Sequence, residues 1–278
     1  MASAQNFSSN PSEISFMGAN YVAQFVGYHM TGGWAEGDTA TNQHFQPLET
    51  FAEHFNTLLE DVQVLGFRSL DIWTAQLNWE WATPEHLHIA SQLLAQHAMP
   101  VTSLAGYFGR TREEFEAACR VAVAVGTTIL GGSTDLPKAD RPLAVAILKN
   151  YGLRLGIENH PNEKTAHDMQ VKIGDGGDGT IGTTIDTGWY ATNGYNPARA
   201  IEELFPSLVH VHLKDILAPG AHETCRYGQG CVDIPGCVAT LKRLGYHGAY
   251  SIEHEPELFD PTEDCQAMLP MLQQWLAQ

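Results

Sequence analysis

Four apolar stretches of the chain each end on side chains that can hold a cation or move a proton. "LRLGIENHP" (153–161) runs through Leu153, Leu155 and Ile157, then delivers Glu158, Asn159 and His160 before Pro161. "GTTIDTGW" (182–189) carries Asp186, "LVHVHLKD" (208–215) carries His210, His212 and Lys214, and "AYSIEHE" (249–255) carries Glu253 and Glu255. Side chains alternate across a strand, so Leu153, Leu155 and Ile157 on one face put Glu158 and His160 on the other. The same parity turns Asp186, His212, Lys214 and Glu253 away from Ile185, Val211, Leu213 and Ile252. Carboxylates crowded at low dielectric repel one another, and a divalent cation removes that cost. Glu158, Asp186, His212 and Glu253 are therefore candidate ligands of one divalent metal. Hard oxygen donors with a single imidazole suit Mn²⁺, Mg²⁺ or Co²⁺ better than structural Zn²⁺, and Mn²⁺ is favoured. His160, on the same face as Glu158, is either a single catalytic base or a hydrogen-bonded rim residue.

Eight segments of strand type must position these groups: 14–22, 69–77, 101–106, 128–133, 153–160, 182–189, 208–215 and 249–255. Helical patterns separate them. "TPEHLHIASQLLAQH" opens with Thr83 as N-cap and Pro84 at the first helical position. "TREEFEAACRVAVAVG" spaces Thr111 and Glu114 as a capping box and stops at Gly126. The last helix begins at Asp260, and Pro270 is expected to kink or shorten it. Eight βα units predict an α/β fold, a (β/α)₈ barrel, as a single domain over 1–278 with 1–13 as a flexible N-terminal arm. A doubly wound sheet would carry a glycine-rich phosphate turn after its first strand, and none follows here, so no organic cofactor is expected. "GDGGDGTIG" (174–182) precedes a strand and reads as a turn.

Two long connections remain, 23–47 and 216–236; the first reads as a substrate lid or a partner surface, the second as another long loop. They offer His29, Trp34 and Arg226, which join Lys214 as candidate substrate contacts.

Composition narrows the partners. Fifteen basic against thirty-two acidic residues give a formal charge of −17, a poor match to a polyanion. Nucleic acid is therefore not expected. No apolar run is long enough for a bilayer, and "MASAQNFSSNPSEIS" lacks the regions of a signal peptide, so a cytoplasmic protein is expected. The five cysteines include no CxxC pair. Cys225, Cys231 and Cys237 are evenly spaced, but zinc ligands come in close pairs, and free thiols are the simpler reading.

The order Glu158, Asp186, His212, Glu253 on strands five to eight, with "VHVHLKD", "SIEHEPE" and "YGQGCVDIP", resembles the xylose isomerase-like barrels. That superfamily includes sugar isomerases, ketose 3-epimerases, inosose dehydratases and endonuclease IV-type repair enzymes. The resemblance implies a catalytic divalent metal on those four residues. Ketose epimerases place a histidine three residues after the metal aspartate and an arginine six after the metal histidine; here those positions are Trp189 and Ala218. With "NYVAQFVGYHMTGGWAEGD", "LDIWTAQLNWEWATPEH", "IENHP" and "HVHLKD", the chain looks most like the catalytic α-subunits of bacterial C-glycoside deglycosidases. That likeness implies a lyase acting on 3-oxo-C-glycosides, with His160 removing the C2 proton, and a small β-rich partner subunit in an oligomer. A metal-dependent keto-sugar isomerase, 3-epimerase or inosose dehydratase is the alternative, followed by a binding barrel without activity.

Overall fold

A computed structural model describes residues 13–278. Except for Glu13, the arm expected over 1–13 lies outside the described residues. Eight parallel strands close into a barrel: β1 (Ile14–Met17), β2 (Leu70–Trp73), β3 (Val101–Tyr107), β4 (Ile129–Ser133), β5 (Arg154–Glu158), β6 (Ile181–Asp186), β7 (Leu208–Leu213) and β10 (Tyr250–Ile252). A two-stranded hairpin, β8 (Asp215–Ile216) with β9 (Thr224–Cys225), is inserted between β7 and β10. β1 pairs with both β2 and β10, which closes the ring.

Strand parity decides what faces where. Leu70, Ile72, Leu104, Leu130, Leu155, Ile185, Val211, Leu213 and Ile252 are fully buried in the layer shared with the helices. Each such side chain contributes roughly 1.5–3 kcal/mol by leaving water. The barrel interior takes the alternate positions, which are small or polar: Ser15, Asp71, Ser103, Thr184, His210 and Ser251, all buried. Inside and outside are therefore chemically separate cores.

The helices start where their side chains cap them. Thr83 and Thr111 both form capping boxes, with His86 and Glu114 as partners. Thr83 adopts this arrangement with an imidazole in the place a carboxylate normally takes. The final helix runs Thr262–Ala277 through Pro270 without stopping. Pro270 lies on the exposed side, where the carbonyl left without an amide partner can turn to water.

Most strands are shorter than their apolar runs, because polar side chains take over at the tips. β1 stops at Met17 and gives way to a 3-10 turn over Gly18–Tyr21. β6 stops at Asp186, whose carboxylate caps a short helix, Thr187–Thr192. The larger correction concerns 23–47, which is not a loop: Trp34–Phe45 is a twelve-residue helix. Its buried face is Gly37, Thr41 and Phe45, too small and polar to read as an apolar stripe. A Cβ on Gly37 would sit 2.2 Å from the Val22 carbonyl oxygen, so glycine lets this helix lie against the barrel mouth. The 216–236 segment is also ordered, since the Asp215 carboxylate accepts from the amides of Gly228, Gly230 and Val232. Gly176–Gly179 forms the expected turn.

Candidate metal centre

The polar tips of β5, β6, β7 and β10 meet at the C-terminal mouth of the barrel. Single ligand atoms of Glu158, His212 and Glu253 all lie within 4.8 Å of one another. His212 Nδ1 is 2.5 Å from Glu158 Oε1 and 3.3 Å from Glu253 Oε2. Asp186 stands beside them, and one of its oxygens is already committed. Oδ1 accepts from the amides of Gly188 and Trp189 at 2.7 and 3.2 Å, and Oδ2 faces the Lys214 ammonium at 2.9 Å, so Asp186, predicted as a fourth ligand, stands outside the three-residue cluster. Asn159 locks the tips of β5 and β6 together: its amide donates to the Asp186 carbonyl and accepts from the Asp186 N–H. The sequence "ENH" thus divides its work among a site carboxylate, a buried brace and a rim imidazole.

Lys214 lies in the middle of the carboxylates. Its ammonium is 2.9 Å from Asp186 Oδ2, 3.1 Å from Glu253 Oε1 and 3.0 Å from Glu255 Oε2, and the side chain is 2% exposed. Lys214 was expected to contact substrate; it lines the cavity, yet its charge is consumed by three carboxylates. Burial pushes the Asp186 carboxyl up to about 6 and the Glu255 carboxyl up to about 8, against the pull of Lys214 and with repulsion from Glu253. Glu253 also suffers burial, but Lys214 and His212 outweigh it and hold its pKa at about 2. Burial opposes a charged His212, yet Glu158 and Glu253 hold its pKa well above the usual imidazole value. These shifts describe a site short of positive charge.

A divalent cation fits this donor set. Glu253 Oε2 is buried with no hydrogen-bond partner, and Asp186 Oδ2 has the Lys214 ammonium near it without hydrogen-bond alignment. Buried carboxylate oxygens left so are costly, and buried charges are normally paired or bound to metals. The oxygen-rich set with one imidazole suits a hard or borderline ion.

Asp71 was missed in the sequence. It lies on β2, fully buried, one layer below the mouth. Its Oδ2 is 2.7 Å from His210 Nε2 and 3.5 Å from His212 Nε2, while Oδ1 accepts from the hydroxyls of Ser15 and Thr102. Burial raises its pKa, but His210 and His212 together hold it well below the carboxylate range. His212 therefore presents Nδ1 to the carboxylates above and Nε2 toward Asp71 beneath. Parity could have found Asp71, since Leu70 and Ile72 point outward around it.

His160 sits on the rim with 45% of its side chain exposed, Nε2 3.7 Å from Glu158 Oε2. It lines a cavity of about 520 Å³ with Glu158, Glu253 and Trp34 on its walls. His29 and Arg226 line neither this cavity nor its neighbour; Arg226 is paired with Asp264, Nε to Oδ1 at 2.7 Å. All five cysteines are free, and none belongs to a potential metal cluster among the described residues. None of the described helices is long and apolar enough to cross a membrane.

Known proteins share this frame. A xylose isomerase-like TIM barrel protein from Mycobacterium smegmatis, solved in complex with magnesium, superposes with a TM-score of 0.69 at 17% identity, covering 97% of this chain and 98% of that one. A structure titled as the IOLI protein with a binding zinc atom gives 0.66 at 14% identity over 95% and 98%. A D-tagatose 3-epimerase-like protein gives 0.62 at 20% identity over 78% and 91%. Among curated sequences, an uncharacterized protein of Methanocaldococcus jannaschii is 31% identical over 119 residues, 40% of each chain. The L-ribulose-5-phosphate 3-epimerase UlaE of Salmonella paratyphi C is 48% identical over 46 residues, 16% of each. The chain thus spans well under half the length of the curated relatives it matches. The family model described as xylose isomerase-like TIM barrel matches residues 59–275, well over half of the chain, and the chain belongs to that family.

Proposed function

We propose that this barrel is a divalent-metal enzyme that removes the proton beside a sugar carbonyl, and specifically that it cleaves 3-oxo-C-glycosides by β-elimination. The convergence of ligand atoms from Glu158 and Glu253, which line the cavity, with one from the buried His212 carries the reading. Asp186 completes the ligand set through Oδ2. A divalent ion held there supplies Lewis acidity toward neighbouring carbonyl and hydroxyl oxygens, which acidifies the C–H between them.

In this reading His160 receives that proton. It stands on the cavity wall beside Glu158, with a free edge toward the opening. In the cleaving reaction it takes the C2 proton of a 3-oxo-glycoside. The electron pair left at C2 forms the C1=C2 bond as the bond from C1 to the aglycone breaks, and the departing aglycone takes up a proton. The positions where the ketose epimerases carry a histidine and an arginine hold Trp189 and Ala218, which favours one base over a symmetrical exchange. Manganese, with magnesium or cobalt as substitutes, is the proposed ion; the small partner subunit implied by the sequence resemblance belongs to the same proposal.

Epimerisation is the second reading. Glu158 and Glu253 both line the cavity and could pass a proton between the two faces of one carbon. The epimerase names among the relatives agree with it.

The test uses metal-loaded protein in D₂O with a 3-oxo-glucoside, following aglycone release and deuterium at C2. Release that vanishes in His160→Ala supports the lyase. Deuterium or a new sugar isomer without release points to the epimerase, and neither signal sinks both.

A further inference from the structure

Behind the metal cavity stands a fully buried imidazole that the reaction above does not use. His254 lies just past β10; its N–H donates to Asn20 Oδ1 at 2.7 Å, and Asn20 in turn donates to the Ile252 carbonyl. The ring is held at both nitrogens. Nε2 is 3.1 Å from Oδ2 of Asp264, in the first turn of the final helix, and Nδ1 is 2.9 Å from Oγ1 of Thr224, on β9. Asp264 is itself held by Arg226, whose Nε and Nη2 lie 2.7 and 2.5 Å from Oδ1. Thr224 stands at the other end of this chain and lines the cavity of about 520 Å³.

Each partner fixes the next. Which ring nitrogen of a histidine is bare is set by the hydrogen bond that the other one makes. A carboxylate accepts only, so Asp264 Oδ2 requires the hydrogen of His254 on Nε2. The Asp264 charge is already answered by the Arg226 guanidinium. A second hydrogen on the ring would therefore set two cations on one carboxylate, in a site where the imidazole has no exposure, which is costly. Nδ1 is then bare, and the Thr224 hydroxyl must donate to it. A hydroxyl has one hydrogen and two lone pairs, and Thr224 has spent the hydrogen. Toward the cavity it can offer lone pairs alone. An ordinary threonine turns its hydroxyl to suit a donor or an acceptor; this one cannot.

We propose that Thr224 is a one-way hydrogen-bond acceptor, which selects a ligand that sets a hydroxyl group against it, and that Asp264 imposes this polarity through His254. A carbonyl, ether or fluorine at the same place would set lone pairs against lone pairs and leave the contact without its hydrogen bond. This deepens the sugar reading above and rests on it for the ligand, a ring bearing several hydroxyls. Arg226, expected to touch substrate, acts on it in this arrangement through Asp264, His254 and Thr224.

The tautomer and the selection are read separately. Protein with ¹⁵N-labelled histidine, loaded with diamagnetic Mg²⁺, should show His254 bare at Nδ1 and protonated at Nε2 in long-range ¹H–¹⁵N spectra. Loss of the signals in His254→Gln, or a moved Nδ1 resonance in Thr224→Val, identifies them. A hydrogen on Nδ1 would overturn the proposal. The selection is read by calorimetry with D-glucose and its 2-, 3-, 4- and 6-deoxy and deoxyfluoro analogues, on the same Mg²⁺-loaded protein. Fluorine is close to a hydroxyl in size and cannot donate. At one ring position both the deoxy and the fluoro sugar should bind about tenfold more weakly than glucose, the scale of one hydrogen bond. That difference should vanish in Thr224→Val and return in Thr224→Ser. A fluoro sugar that binds as well as glucose at every position, a difference that persists in Thr224→Val, or no saturable binding of any of these sugars would overturn the acceptor. The reaction is judged on its own products. Aglycone release or deuterium at C2 alongside a tolerated fluorine removes the role of Thr224 and keeps the reaction, whereas selection without either product does the reverse.

Discussion

The two halves of the barrel mouth are built from the same alternating strands and carry opposite chemistry. β5, β6, β7 and β10 raise Glu158, Asp186, His212, Lys214 and Glu253, a cluster of charge that is buried except for Glu158 and borders the cavity. β1 to β4 raise Met17, Trp73, Ala105, Gly106, Tyr107 and Ser133, a wall with no charge. A sugar has one edge of oxygens and faces of C–H bonds, and the two halves match those surfaces. Asp71 is the exception that joins them, a carboxylate from β2 set under the charged half.

Removing a ligand should produce the largest effect. Glu253→Gln leaves the fold intact, because the side chain keeps its size, but takes one charge from the centre. Purified variant protein should retain no stoichiometric Mn²⁺ by elemental analysis and show no turnover. Retention of a full equivalent would remove Glu253 from the ligand set.

His160→Ala comes next and separates chemistry from metal holding. As a general base His160 accounts for about 10²–10⁴ in kcat, with metal content unchanged. A variant that loses metal as well would show His160 to be part of the centre rather than its base.

Asp71 tests whether the boundary between the halves matters. Asp71→Asn keeps the shape but removes the charge facing His210 and His212. Loss of such an outer partner costs about 10–100 in metal affinity, readable by competition with a coloured chelator. Unchanged affinity would reduce Asp71 to a filler of the barrel interior.

The charged half was largely legible in the sequence, and the other half was not. Parity alone placed Glu158, Asp186, His212 and Glu253 on one face, because each sits among outward-facing Leu, Ile or Val residues. The same rule applied to "SLDIW" would have found Asp71, but a single acid among apolar residues carries no partner in its own segment. What Lys214 does could not be read, since its three carboxylates come from two other strand ends. The helix Trp34–Phe45 stayed hidden because its buried face is built on Gly37 and Thr41. His29 and Arg226 lie in segments without periodicity, and nothing in their spacing says which way they turn.

The smallest effect sharpens the comparison through pH. In the metal-free centre His212 is held well above the ordinary imidazole pKa, and Asp186 is pushed up to about 6. Both must give up protons before their ligand atoms can bind a cation. The sign follows directly: protons compete with the metal, so affinity rises with pH. Because His212 keeps its proton through neutrality, affinity should climb about tenfold per pH unit between pH 6 and 8 for one proton released. Below about 6 the slope should steepen as Asp186 also starts the titration protonated. Calorimetry in two buffers of different ionisation enthalpy counts the protons, and one at pH 7 is expected. A flat profile would mean that His212 is neutral before metal arrives, with the Lys214 ammonium alone offsetting the carboxylates. Asp71→Asn should then leave the profile unmoved, whereas a proton on His212, facing Asp71, predicts a shallower slope in that variant.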